Sequence, residues 1–156
     1  MSLEIEDVDP RGRAWRLFIE TSARLSTAID DQLRRDAGMA LADYHVLLLL
    51  SEAPGHRLRM KEIAERMVFS QSRLTYQVDT LCKRGWLRRE PVPEDRRGSY
   101  AILTDEGRGA FAAAARGHRE LVDRLFYDAL TPDDGRELAG LMARLADRLQ
   151  EHRDDH

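Results

Sequence analysis

Residues 70–104, SQSRLTYQVDTLCKRGWLRREPVPEDRRGSYAILT, decide how the rest of the chain is read. Their first half has a helical period. Ser70 is a favourable N-cap, Gly85 stands where a left-handed C-cap is wanted, and Leu74, Val78 and Leu81 fall on one face. Ser72, Tyr76, Asp79 and Lys83 fall roughly opposite, flanked by Arg73 and Thr75. The exposed face thus carries hydrogen-bonding side chains of the kind that read base edges in a major groove, although an ordinary amphipathic surface helix would look the same. The second half changes character. WLRRE (86–90) and SYAIL (99–103) are short strand-like runs, joined by PVPEDRRG (91–98) with Pro, Asp and Gly as turn residues. A β-hairpin therefore follows directly on the helix. Arg96 and Arg97 at its tip suit a narrow, electronegative minor groove. Asp95 repels phosphate, and is read as an orienter that pins a neighbouring guanidinium. Thr104 then caps another helix, with Asp105 and Glu106 favourably placed in its first turn.

Upstream, RLRMKEIAERM (57–67) gives a short extended piece and a compact helix with Ile63, Ala64 and Met67 on one side, so the Ser70 helix completes a helix-turn-helix. Before it, a helix begins around Asp43, carries VLLLL (46–50) and stops at Pro54-Gly55. Trp15, Phe18, Ser22, Leu25, Ile29 and Leu33 mark a long amphipathic helix ending near Gly38. Downstream, FAAAARGHRELVDRLFYDAL (111–130) continues the helix begun at Thr104, and Thr131-Pro132-Asp133-Asp134 starts another with an N-cap, a first-position proline and early acids. Leu138, Leu141, Met142, Leu145 and Leu149 make a coiled-coil-like stripe along it. Such a stripe serves either intrachain packing or a second copy. One small winged centre can hardly cover the apolar faces of long helices on both sides.

The chain has 156 residues, one domain's worth, and 34 % of them are charged. No apolar run approaches a membrane span, and the acidic start MSLEIEDVDP is unlike a signal peptide, so the chain reads as cytoplasmic with no membrane partner. The net charge of -3 conceals an asymmetry: Pro54 to Leu103 holds eleven Lys and Arg against six Asp and Glu, between acidic outer segments. A basic block inside an acidic protein suits a local polyanion site, because clustered cations gain from counterion release on phosphates; a solvated surface is the alternative. The lone Cys82 excludes an intramolecular disulfide and a Cys-clustered metal site. With Lys83 and Arg84 beside it, Cys82 is either a reactive thiol or a partly buried structural one. His45, His56, His118, His152 and His156 lack metal-ligand spacing, and no Gly-rich phosphate loop or nucleophile elbow occurs. No catalytic residue, metal or cofactor is expected.

The order of elements, the signature from Asp95-Arg96-Arg97 to Leu103-Thr104, and the passage SQSRLTYQVDTLCKRGWLRRE resemble the multiple antibiotic resistance regulator (MarR) family of bacterial transcription factors. The resemblance runs from Trp15 to the last helix. It implies a mainly α fold with a small β-wing, a winged helix-turn-helix whose long N- and C-terminal helices form a homodimer. The implied division is a dimerisation helix at 1–38, a DNA-binding module at 39–103 and dimerisation helices at 104–156. It further implies a regulator of palindromic double-stranded DNA operators, commonly a repressor released by a small aromatic or phenolic anionic effector. Carried over by motif, Ser70, Gln71, Ser72, Arg73, Tyr76 and Gln77 would face the major groove, and Arg97 would be the wing arginine with Asp95 and Arg96 beside it. The effector pocket would draw on Trp15, Arg16, Phe18 and Ile19, then Tyr44 and His45, then His118 and Arg119. Thiol sensing, constitutive binding and a winged-helix protein-interaction module are the alternatives. Arginines on both the helix and the wing, Arg73 and Arg97, argue against the last.

Overall fold

Helix boundaries in the chain follow from caps. The computed structural model describes residues 9–155. Helix α1 (Pro10–Ala37) opens with Asp9 accepting from the Arg11 amide at 3.0 Å and with proline at its first position, and it closes at Gly38, left-handed at φ 62°. Helix α2 (Leu41–Glu52) begins slightly ahead of Asp43. The reason is that Asp43 serves from inside the first turn, accepting from the Ala40 amide at 2.8 Å, while Asp30 of α1 accepts from the Leu41 amide at 2.8 Å. A 3-10 turn at Pro54–His56 ends α2 and leads to β1 (Arg57–Arg59), α3 (Met60–Met67) and α4 (Gln71–Lys83). Then come β2 (Leu87–Val92), β3 (Asp95–Leu103), α5 (Asp105–Val122), a π-helical turn at Asp123–Tyr127 and α6 (Pro132–Asp154).

The extended piece at 57–59 is the third strand of an antiparallel sheet ordered β1-β3-β2, with Leu58 opposite Ala101 and Arg89 opposite Ala101 on the other side. The hairpin is longer and its turn tighter than the composition suggests: the strands run on to Val92 and from Asp95, leaving Pro93-Glu94 to turn the chain. Register explains how the arginines still stand clear. Pro91 faces Ser99 but Val92 faces Asp95, so residues 96–98 bulge from β3 without partners on β2.

Two compact units divide between His118 and Arg119. In the first, Leu33 of α1, Val46, Leu47 and Leu50 of α2, Ile63 of α3, and Leu74, Val78 and Leu81 of α4 are all fully buried, joined by Leu87, Ala101 and Leu103 of the sheet and Ala114 of α5. The compact unit thus extends past residues 39–103, because that segment completes its core with Leu33 and Ala114. In the second unit, α6 is capped as its sequence requires: Thr131 Oγ1 accepts from the Asp134 amide at 3.2 Å and Asp134 Oδ2 from the Thr131 amide at 2.8 Å. No residue of α6 is buried, and Leu141, Leu145 and Leu149 of the stripe are exposed.

Thr104 anchors the corner between the wing and α5. Its hydroxyl donates to the Gly85 carbonyl at 2.6 Å and accepts from the Gly107 amide at 3.0 Å. Gly107 passes so close to the chain that a Cβ there would lie 2.1 Å from the Trp86 carbonyl oxygen, whereas a Cβ at Gly109, on the same helix, would meet nothing within 4 Å. Gly107→Ala should therefore lower stability by about 1–3 kcal/mol through overpacking against backbone. Gly109→Ala should raise it by about 0.5–1 kcal/mol through helix propensity. Urea denaturation of the two variants tests the contrast, and equal effects would deny the close approach.

Candidate nucleic-acid interface

Helix α4 shows two chemically distinct faces. With Leu74, Val78 and Leu81 fully buried, Gln71, Ser72, Arg73 and Tyr76 are left exposed, Tyr76 to 76 %. Ser70 has a structural task, its Oγ accepting from the Arg73 amide at 3.2 Å, and it lies 3.3 Å from Ser72 Oγ. The Arg73 guanidinium stacks 3.8 Å from the centroid of the Phe69 ring, which restricts the side chain without consuming its N–H donors. Gln77 is turned the other way. It is half-buried and its amide nitrogen donates to Asp43 on α2, because it borders the buried stripe, three residues after Leu74 and four before Leu81. The structure therefore separates Gln77 from the exposed group formed by Gln71, Ser72, Arg73 and Tyr76.

The wing is fixed to this helix by one side chain. Arg89 of β2 donates to Asp79 on α4 at 3.0 Å and to Ser99 on β3 at 2.9 Å. At the far end of α4, Arg84 donates to the Gly38 carbonyl at 2.7 Å with its guanidinium 3.6 Å from the Trp86 ring centroid. The sequence places Asp79 on the exposed face, gives Arg84 a role only as a neighbour of Cys82, and gives Arg89 none. Gly38 lies 46 positions from Arg84, and Asp79 and Ser99 each ten from Arg89, across element boundaries that no local period spans.

Asp95 orients the wing, but not by the expected route. Its Oδ1 accepts from the Arg97 backbone amide at 3.0 Å, so it holds the bulge rather than a wing guanidinium, and its nearest ion pair is to Arg59 of β1 at 3.9 Å. Gly98 makes room for this arrangement, since a Cβ there would lie 2.8 Å from Asp95 Oδ2. Arg96 and Arg97 are exposed.

The residues implied for an effector pocket divide into groups. Tyr44, nearly buried at 5 %, lies 4.4 Å ring to ring from His118 and 6.5 Å from His45. It also lies 5.2 Å from Phe111, which sequence reading missed. The available signal was its place two helical turns before His118, on the same face of α5. Trp15, Arg16, Phe18 and Ile19 are exposed on α1 and make no ring contact with this group, and Arg119, also exposed, belongs to the second unit. His118 Nδ1 and Gln32 Oε1 are buried without hydrogen-bond partners among the described residues. Cys82 is half-buried, and burial, followed by the Asp79 carboxylate, pushes its thiol up in pKa against a smaller opposing effect of Arg89. Neither Lys83 nor Arg84 is among the groups that shift it, in keeping with the structural of the two readings of this thiol.

A helix-turn-helix with a β-wing braced to its second helix defines a winged-helix protein. Comparison with known proteins narrows this. The family model described as the MarR family matches residues 37–98. The HTH-type transcriptional regulator PecS of Dickeya dadantii is 32 % identical over 151 residues, 94 % of this chain and 84 % of that protein. A MarR family transcriptional regulator of Streptomyces coelicolor, Sco3205, solved in complex with DNA, superposes with a TM-score of 0.87 at 41 % identity over 91 % of this chain and 89 % of its own. AbsC, another MarR family regulator of that organism, superposes with a TM-score of 0.87 at 33 % identity over 92 % of this chain and 97 % of its own. The chain belongs to the MarR family and is a transcriptional regulator.

Burial, and secondarily the charge of His45, lowers the pKa of His118, and burial lowers that of His45. A histidine whose folded pKa lies below its unfolded value contributes stability at pH above the unfolded value and loses it as pH falls toward the folded one. The melting temperature should therefore fall from about pH 7 toward about pH 5, ahead of carboxylate titration, since Asp30 and Asp36 are held below the usual carboxylate range by their hydrogen bonds. His118→Gln should flatten that slope. An unchanged slope in the variant would assign the effect elsewhere.

Proposed function

We propose that this regulator binds a palindromic double-stranded DNA operator as a homodimer, acts as a repressor, and releases DNA when a small aromatic or phenolic anion binds. The observation that carries the DNA reading is the joint presentation of Ser72, Arg73 and Tyr76 on α4 and of Arg96 and Arg97 on a wing that Arg89 ties to that helix. Hydrogen-bonding side chains on a helix suit a major groove, and arginines on a thin ribbon suit the adjacent minor groove. Gln71 and the capping Ser70 belong to the same helix end. Gln77 and Asp95 act behind the surface, through Asp43 and through the Arg97 amide. The DNA complex of Sco3205, at 41 % identity, supports the reading.

The homodimer reading rests on apolar exposure. Trp15, Leu17, Phe18 and Ile19 on α1, and separately Leu141, Leu145 and Leu149 on α6, stand in water in a single chain. Repeated exposed apolar faces on long helices mark surfaces for a second copy. The working division remains a dimerisation helix at 1–38, a DNA-binding module at 39–103 and dimerisation helices at 104–156. For the effector, the supporting feature is the Tyr44, Phe111, His45 and His118 cluster with its unpartnered buried Nδ1, where aromatic surface and a protonatable donor would suit an aromatic acid.

Operator binding is tested by gel shift on DNA selected from random sequence. Arg97→Ala should weaken binding by about 1–3 kcal/mol with little change in base preference, whereas Arg73→Ala should weaken it and relax the preference. Equal losses on all sequences for both variants would deny the division between helix and wing. Dimerisation is tested by light scattering of the variant carrying Leu141→Asp and Leu145→Asp together. Each buried, unpartnered carboxylate costs several kcal/mol, so the particle should drop to monomer mass, and an unchanged dimer mass would remove the α6 stripe from the interface.

A further inference from the structure

The turn between α3 and α4 places a β-branched residue where glycine is usual. Val68 ends α3 in the left-handed conformation, φ 56° and ψ 41°, its amide directed at the Ala64 and Glu65 carbonyls. Glycine takes that conformation freely, whereas for a β-branched residue the Cβ crowds its own backbone. Among the described residues one other non-glycine residue, His56 at φ 53°, has a positive φ, and its ring Nδ1 lies 3.4 Å from the Leu50 carbonyl oxygen. At Val68 the left-handed turn is closed by backbone alone, the Phe69 amide donating to the Ala64 carbonyl at 2.9 Å and the Val68 amide to the Glu65 carbonyl at 3.3 Å, and the isopropyl group takes no part in that closure. Met67 and Phe69 on either side pack against the core, but Val68 is 76 % exposed.

Its position suggests what the side chain is for. Val68 immediately precedes Phe69, the platform for the Arg73 guanidinium, and Ser70, the N-cap of α4. The isopropyl group therefore stands at the same end of α4 as Gln71, Ser72 and Arg73. Those residues offer hydrogen bonds, which distinguish donor and acceptor patterns. The one apolar feature on a base edge in the major groove is the thymine methyl group, and an apolar side chain is what recognises it. We propose that Val68 is a specificity-determining residue whose isopropyl group packs against a thymine methyl in each half-site. The inference rests on the DNA-binding reading above.

The test begins with duplexes selected from random sequence by the full chain. Each thymine of the selected site is then replaced singly by deoxyuridine, which lacks only the methyl group. The wild-type protein should lose affinity about three- to fivefold at one position per half-site, the worth of one buried methyl-sized group. Val68→Asn and Val68→Gly both tolerate a positive φ. Each should bind the thymine site about as weakly as wild type binds the deoxyuridine site, with no further loss on demethylation at that position and with losses elsewhere retained. A deoxyuridine profile unchanged in both variants overturns the proposal, as does wild-type affinity for the thymine site in both, or a lowered melting temperature in both that marks Val68 as structural. If the wild-type chain selects no sequence at all, the DNA-binding reading itself falls, and this inference with it.

Discussion

The complete burial of Leu74, Val78 and Leu81 on one side of α4 is the constraint from which the rest of the interface follows. A helix rotates freely about its axis until one stripe is desolvated. Three fully buried aliphatic side chains, each stabilising by roughly 1.5–3 kcal/mol relative to exposure, leave one rotation that does not return apolar surface to water. Once that rotation is set, Ser72, Arg73 and Tyr76 must face outward. The outward direction of the polar residues is thus a consequence of packing on the other side, and no contact of their own is needed to hold them there.

Rotation alone does not position a wing. Two arginines supply what packing cannot: Arg84 joins the end of α4 to the end of α1 through the Gly38 carbonyl, and Arg89 joins α4 to β3 through Asp79 and Ser99. Arg89 and Asp79 are more than a third exposed, so solvent screens their attraction and the pair adds little stability. Their contribution is directional, since a planar guanidinium donating to two elements fixes the angle between them. Backbone approach does the same at the opposite side of the wing, where Gly107 lets α5 come against Trp86. Stability resides in the aliphatic core and geometry in the polar links. Variants of the two kinds should accordingly differ in what they disturb.

Much of this was legible in the sequence because it is local. The period of Leu74, Val78 and Leu81, the caps at Ser70, Thr104 and Thr131, and the left-handed Gly38 and Gly85 are all written within a few residues of where they act. The local pattern is silent where the partner is remote or where register intervenes. Gln77 lies within the stretch of α4 that the family motif assigns to the groove, and only the position of Asp43 on α2 shows that its amide is engaged. Asp95 sits next to two arginines in sequence, yet the bulge aims it at a backbone amide. The three-residue β1 was too short to declare itself a strand, because its pairing with β3 depends on residues more than forty positions away.

Hydrogen-bond occupancy separates the residues that build the interface from those presented by it. Asp79, Gln77, Arg84 and Arg89 are polar, lie on or beside α4, and would pass any compositional test for contact with DNA. Each has at least one polar atom engaged by another element of the same unit. Arg73 keeps its donors while an aromatic face limits its motion, a combination that reduces the side-chain entropy lost when a guanidinium is immobilised on a base. Arg97 is restrained one step further back, through its own backbone amide, so its side chain stays free while its point of attachment does not. The two arginines thus reach the same end by different means. One is held at its guanidinium plane on a helix, and the other at its backbone on a bulged strand, where, in the proposed DNA complex, a longer sweep would let it follow the width of a groove that varies with sequence.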